Sequence, residues 1–271
     1  MPKIIGSYIN TVYSIAPNKA TKRAFKIFCT PRKGSILPHQ EDFLNSAKSN
    51  IIEHNNTLVQ TYHWKGNNDT VLLIHGWDSN AFRWKSLVTR LQKENYNIIA
   101  LDAPAHGNSQ GSILNVPLYT EFVKLVVEMH EPKHIIGHSI GGMTTIYQQY
   151  KYPHPKTEKL VILGAPSELQ DFVNQYQSIL SLNNKVIKSL EADIKNRFGF
   201  KSNEFSISSF AKKIKIEGLI IHDENDSVAL IKDGEAIHNN WNNSTLIKTK
   251  GLGHSLHNNS VYKDIISFIN S

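Results

Sequence analysis

The chain has 271 residues, 40% of them hydrophobic and 9% aromatic, which is enough for a sizeable buried core and argues against a wholly disordered polypeptide. Its single cysteine, Cys29, excludes an intrachain disulfide and a cysteine-based zinc site. The net charge of +7 is unevenly spread: the first 70 residues hold nine Lys or Arg against four Asp or Glu, and the rest is nearly balanced.

In chain order, the stretch through Lys33 carries seven basic residues and no acidic one. Within it Ile5, Tyr8, Ile9 and Val12 recur at helical spacing, which permits an amphipathic basic helix that could touch an anionic membrane surface. Packed on its own domain, the same helix would keep its basic face in water. No apolar run approaches the ~20 residues that span a bilayer. Ile4 to Ala16 is too polar, and lacks a clear cleavage site, for a signal peptide, so a cytoplasmic location is the expectation, peripheral to a membrane if that helix docks.

From Thr57 onward short β-branched runs alternate with amphipathic segments, the pattern of a doubly wound α/β fold with a mostly parallel sheet flanked by helices. The expected strands are Val71 to His75, Asn97 to Asp102, His134 to His138, Leu160 to Ala165, Gly218 to Asp223 and Thr245 to Lys250. Helical patterns fall at Phe82 to Glu94, Tyr119 to His130, Gly141 to Tyr150 and Ser260 to Ile269. Residues 1–56 read as a basic, partly helical lead segment and 57–271 as the α/β domain. Within that domain about 167–215 shows no strand pattern but has Phe172, Tyr176, Ile179, Leu180, Val186, Ile187, Leu190 and Ile194 at helical spacings, which predicts an inserted helical cap, since a structureless loop of that length would be out of place in a compact domain.

The sharpest motif is Gly137-His138-Ser139-Ile140-Gly141, between a strand pattern and a helical one. A serine forced onto so tight a turn projects its hydroxyl above the sheet, and flanking glycines remove Cβ atoms for which there is no room. A Gly-x-Ser-x-Gly arises by chance roughly once in fourteen chains of this composition, so its context has to carry the argument. Serine needs a base, and the base needs a carboxylate to hold its tautomer. The strand ending at Ile221 runs into His222-Asp223-Glu224-Asn225-Asp226, and Gly251-Leu252-Gly253-His254 follows the last strand. Chain order is then Ser139, Asp226, His254, with Asp223 and Glu168 as rivals for the acid. His222 and His138 read as structural. An oxyanion would meet the backbone N–H groups of Trp77, at the end of Val71 to Trp77, and of Ile140.

On these residues the chain from about Thr57 onward resembles the α/β-hydrolase superfamily. Besides His75-Gly76-Trp77, the serine motif and Gly253-His254, it has Asp102-Ala103-Pro104-Ala105-His106-Gly107-Asn108-Ser109, similar to the family's Asp-x-Pro-Gly-His-Gly-x-Ser segment, with Ala105 in place of the usual glycine. The resemblance implies a structural role for that segment and none in catalysis for His106. With Ala105, and with His222-Asp223 where the family more often has His-Gly, the chain also resembles a bacterial subgroup described only as hydrolases, whose basic helical lead segment looks similar.

The implied activity is cleavage of a carboxylic ester or thioester through an acyl-Ser139 intermediate, on a small-molecule acyl substrate, with no cofactor, metal or nucleic acid involved. Amide or peptide hydrolysis, carbon–carbon bond hydrolysis and perhydrolysis remain open within the same fold, as does a non-catalytic receptor. A serine at the turn excludes the aspartate-using dehalogenases and epoxide hydrolases, and neither His-Glu-x-x-His nor a phosphate loop is present. Trp77, Phe172 and Tyr176 could line the substrate pocket, although each cap residue could equally be packing.

Overall fold

The apolar runs become one eight-stranded sheet in the computed structural model, which describes residues 2–271. The strands are β1 (Lys48–His54), β2 (Thr57–Trp64), β3 (Asn68–Ile74), β4 (Tyr96–Leu101), β5 (His134–His138), β6 (Lys159–Leu163), β7 (Glu217–Asp223) and β8 (Ser244–Thr249), in the order β1-β2-β4-β3-β5-β6-β7-β8. β2 pairs antiparallel with both β1 and β4, and every pairing from β4 to β8 is parallel. Two units make up the chain. Helices α1 (Pro2–Ile15), α2 (Pro17–Cys29), α7 (Leu169–Leu180) and α8 (Asn184–Phe198) form one; α3 (Pro38–Asn45), α4 (Lys85–Lys93), α5 (Val116–His130), α6 (Ile140–Lys151), α9 (Ile207–Ala211), α10 (Ile231–Asn240) and α11 (Asn259–Asn270) flank the sheet in the other.

The six parallel strands coincide with the six expected ones to within a few residues. β5 and β6 are buried along their whole length, as strands covered on both faces must be. Val71, Leu73, Ile98, Ala100, Ile136, Val161, Leu219 and Ile221 join Leu87 and Leu91 of α4 and Val261, Ile265 and Ile269 of α11 in one core layer. Burying a side chain of this size contributes about 1.5–3 kcal/mol, so this layer holds the strand ends in register for the loops that leave them. Short polar caps fix the helix starts: Asn115 Oδ1 accepts from the Leu118 amide at the head of α5, and Asn258 from Ser260 at the head of α11.

The boundaries differ from those expected. β1, at the edge of the sheet, buries only Ile52 and so lacks the alternation that marks a half-buried strand. It pairs with β2 through a tight turn in which Asn55 and Asn56 take φ of 48° and 58°, the left-handed conformation that asparagine tolerates and that hairpins need. Residues 31–56 therefore belong with the sheet, and so does the stretch 207–215 assigned to the inserted segment.

The helical unit joins residues up to Thr30 with Glu168–Ser206, segments far apart in sequence. The single amphipathic helix expected at the start is two helices, because Pro17 fixes the first turn of α2 and keeps Ala16 out of helical geometry, at φ −139° and ψ 72°. Gly6 lets α1 pass against the end of α7: a Cβ there would lie 1.6 Å from the Leu180 carbonyl oxygen. Asn10 secures the α7–α8 turn, donating to the Ser181 carbonyl at 3.0 Å and accepting from the Asn183 amide at 2.9 Å. Tyr13 hydrogen-bonds Ser189 at 2.7 Å, and Phe25 of α2 packs on Phe198 with the Arg197 guanidinium over its ring. No described helix is long and apolar enough to cross a membrane.

Candidate active site

Ser139 sits between β5 and α6 with φ 55° and ψ −124°, a conformation that costs a non-glycine residue about 1–3 kcal/mol and persists only where neighbours enforce it. The enforcement is visible on both sides. A Cβ at Gly137 would stand 2.5 Å from the Gly141 carbonyl oxygen, and one at Gly141 would stand 2.3 Å from that of Ile74. The Ser139 amide donates to the Leu163 carbonyl at 2.9 Å, tying the turn to the end of β6.

The loops after β7 and β8 bring two further side chains to it. The Ser139 hydroxyl donates to His254 Nε2 at 3.0 Å, and His254 Nδ1–H donates to Asp226 Oδ2 at 2.8 Å. The second oxygen of Asp226 accepts the amides of Val228 and Ala229 at 2.8 and 3.0 Å, which fixes the carboxylate. Burial would raise the pKa of this carboxyl, but the bonds from His254, Val228 and Ala229 outweigh it and hold it below the ordinary range. Asp226 is thus ionised at neutral pH, keeps the proton of His254 on Nδ1 and leaves Nε2 free to accept from the serine.

Asp223, the rival one turn earlier, is wholly buried and does a different job. Its Oδ1 accepts the amides of Asn225 and Gly251 at 2.9 and 3.2 Å; its Oδ2 accepts the Thr249 hydroxyl at 2.8 Å and the Leu252 amide at 2.9 Å. These bonds overcome its burial and keep it, too, below the ordinary carboxylate range. It ties down the Gly251–Gly253 loop that presents His254. The other rival, Glu168, belongs to the helical unit, where it accepts from the Ser206 hydroxyl at 2.8 Å. His138 Nε2–H donates to the His254 carbonyl at 2.7 Å, and burial first, then the nearby Arg83 and His254, keep its ring neutral. Arg83 completes the support by donating to the Ser255 carbonyl at 3.0 Å. Neither support was legible in the sequence, since a histidine inside the serine motif and an arginine in a helical pattern have ordinary structural uses; the acid standing where a turn glycine is usual was the one visible sign of Asp223.

Gly76 places the loop after β3 beside the nucleophile, a Cβ there falling 2.9 Å from that of Ser139. Trp77 follows it, with its indole edge-on to His106 at 6.0 Å, and Ile140 opens α6, whose first amides have no partner within the helix. Asp102 to Ser109 forms a closed turn: Asp102 accepts from Ala81, Tyr62 and Asn108 at 2.8, 2.8 and 2.9 Å, and a Cβ at Gly107 would lie 2.0 Å from its carboxylate. Ala105 adopts φ 63°, which explains why glycine is usual there. His106 bridges this turn to the Trp77 loop, donating to Pro104 and accepting from the Asp78 amide, each at 3.0 Å. Phe172 and Tyr176 lie on α7 in the helical unit. The Tyr176 hydroxyl donates to the Ala24 carbonyl at 2.9 Å and its ring packs on Phe28, so its side chain is engaged within that unit. No cluster of metal-ligating side chains occurs among the described residues.

The family described as serine aminopeptidase, S33, matches residues 66–208. A serine hydrolase-like protein of Danio rerio is 34% identical over 120 residues, which cover 40% of this chain and 36% of that one. The first curated relatives are thus matched over little more than a third of their own length. A bifunctional esterase/perhydrolase of Acinetobacter calcoaceticus is 25% identical over 255 residues, 74% of this chain and 91% of that protein. Among solved structures, an esterase from Exiguobacterium antarcticum superposes with a TM-score of 0.65 at 16% identity, over 83% of this chain and all of that one, a likeness of fold.

Proposed function

The chain belongs to the α/β-hydrolase superfamily, and from that premise we propose that it is a serine hydrolase that cleaves carboxylic esters or thioesters through an acyl-Ser139 intermediate. One observation carries the proposal: Ser139 Oγ lies 3.0 Å from His254 Nε2 while Asp226 holds Nδ1 at 2.8 Å. His254 takes the hydroxyl proton as Oγ attacks the carbonyl carbon, and the imidazolium that forms is stabilised by Asp226. The amides of Trp77 and Ile140 receive the developing oxyanion; in a related chemistry the loss of one such donor costs about 10²–10³ in turnover. His254 then protonates the departing alcohol or thiol, and water activated by the same base releases the acid. The strained backbone of Ser139 fits this role, because strain held at one residue of a well-packed sheet end is commonly tied to function.

The test has two arms. A fluorophosphonate should label the wild-type protein and not Ser139→Ala, and p-nitrophenyl esters of graded chain length should be turned over with the dependence that defines acyl size. The name of the S33 family favours a second reading, release of an N-terminal residue from a peptide by the same serine. Aminoacyl p-nitroanilides decide between them: faster cleavage of these than of every ester would move the assignment to peptidase. The Acinetobacter relative's name adds perhydrolysis as a side activity, measured as peracid formation from acetate and hydrogen peroxide.

A further inference from the structure

Helix α1 is apolar on two opposite faces. One, through Gly6 and Ile9, is buried within the helical unit. The other faces water: Ile4, Tyr8, Thr11 and Ile15 follow at three- and four-residue spacing along one side, with Ile4 73%, Tyr8 50% and Ile15 84% exposed. An ordinary surface helix keeps polar residues on that side. Isolated exposed apolar residues need no explanation, but three aligned on a helix already packed by its opposite side do.

The charge beside this stripe is of one sign. Lys19, Lys22 and Lys26 lie on one exposed face of α2, and the Arg23 guanidinium stacks on the Tyr8 ring at 5.0 Å, so a cation borders the apolar stripe directly. From residue 2 to Lys33 there is no Asp or Glu, and the acidic residues of the helical unit all lie in its other segment, 168–206. An apolar stripe with an aromatic at its middle, edged by uncompensated lysines, matches a surface that is anionic outside and hydrocarbon beneath. Water or a protein partner of mixed charge would not require that combination.

We propose that the α1–α2 hairpin docks the protein to the surface of an anionic bilayer, with Ile4, Tyr8 and Ile15 entering the headgroup–acyl boundary and Lys19, Lys22, Arg23 and Lys26 meeting the anionic headgroups. The inference does not depend on the hydrolase chemistry. It corrects the picture of one amphipathic basic helix: the apolar and the basic faces belong to two helices, parted at Pro17.

The test is co-sedimentation of the full chain with vesicles of phosphatidylcholine alone and with added phosphatidylglycerol, at low and high salt. Wild-type protein should pellet with the anionic vesicles, and salt should weaken the binding. Ile4→Ser/Tyr8→Ser/Ile15→Ser and Lys19→Glu/Lys22→Glu/Lys26→Glu should each reduce the partition by about tenfold or more. Because every substituted side chain is exposed, both variants should melt like wild type, and melting curves check this. Failure to pellet with anionic vesicles, equal pelleting with neutral ones, or wild-type partition of the stripe variant would each overturn the proposal. A concentration-dependent dimer that the stripe variant abolishes would also overturn it, by assigning the stripe to a second copy of the chain.

Discussion

Replacing Asp226 by asparagine isolates what its carboxylate does. Oδ1 accepts two backbone amides, from Val228 and Ala229, so an asparagine there must keep its carbonyl oxygen toward them. The reverse orientation would leave the buried Ala229 N–H facing an NH₂, at about 1–3 kcal/mol, and the part-buried Val228 N–H with it. The amide nitrogen is thereby forced against His254 Nδ1, where the carboxylate had accepted a hydrogen bond at 2.8 Å. The imidazole responds by moving its proton to Nε2, which then points an N–H at Ser139 and cannot take the serine's proton. The equivalent change in a serine protease lowers turnover about 10⁴-fold, or about 5 kcal/mol at 1.36 kcal/mol per decade. In Asp226→Asn, kcat on one p-nitrophenyl ester should fall by that order, KM should change little, and folding should be preserved because the substitution is isosteric. Asp223→Asn should behave differently. Both of its oxygens accept two bonds each, so one pair of donors is lost whichever way the amide turns. Its main effect should be a lower melting temperature, with turnover reduced about tenfold through a looser His254 loop. Glu168→Gln should leave turnover unchanged. Near-normal kcat in Asp226→Asn together with a collapse in Asp223→Asn would refute the reasoning and transfer the acid's role.

Other measurements probe strain and burial. Ser139→Gly should abolish ester cleavage yet raise stability by about 1–2 kcal/mol, since glycine adopts φ 55° without strain; a lower urea midpoint than wild type would contradict this. Ala105→Gly, at φ 63°, should be neutral or stabilising by up to about 1 kcal/mol, whereas glycine for alanine within a helix costs about that much. Stability should also decline in mild acid. Burial above all lowers His75 from 6.5 to about 3 and His134 to about 4, so both are neutral when folded. The unfolded chain binds protons as pH falls below about 6.5 and the native state does not, so the stability that depends on these two rings is full above 6.5 and is lost progressively toward 4 and 3. Between pH 7.5 and 5 that amounts to about 2 kcal/mol for each. Neither ring nitrogen of His134 has a hydrogen-bond partner among the described residues, so His134→Leu should flatten the pH dependence without destabilising the protein at pH 7.5; a urea midpoint constant from pH 7.5 to 5 in wild type would show that these rings titrate normally.

Where chemistry follows from local backbone, the sequence was sufficient. Gly137-His138-Ser139-Ile140-Gly141 can make only one kind of turn without a clash, and the parallel strands β3 to β7 carry apolar runs because they are buried along most of their length. Asp102 to Ser109 was legible only through its resemblance to the family's segment, because Asp102 grips the Asn108 amide of its own loop but also accepts from Ala81 and from Tyr62 on β2. What the sequence left open depended on contacts between distant segments. Three acids stood near strand ends, and only the fold shows that Asp226 meets His254 while Asp223 ties the loop and Glu168 meets Ser206. β1 escaped notice because an edge strand buries one residue and takes its identity from its partner β2. The helical segment 168–206 was expected to be helical, but nothing in its periodicity says that it packs with residues 2–30. That pairing rests on Gly6 admitting the Leu180 carbonyl and Asn10 bridging the α7–α8 turn. Local rules specify a turn or a buried strand because its cost or gain falls within a few residues; a choice among equally plausible partners is made only by the packing that brings one of them within hydrogen-bond reach.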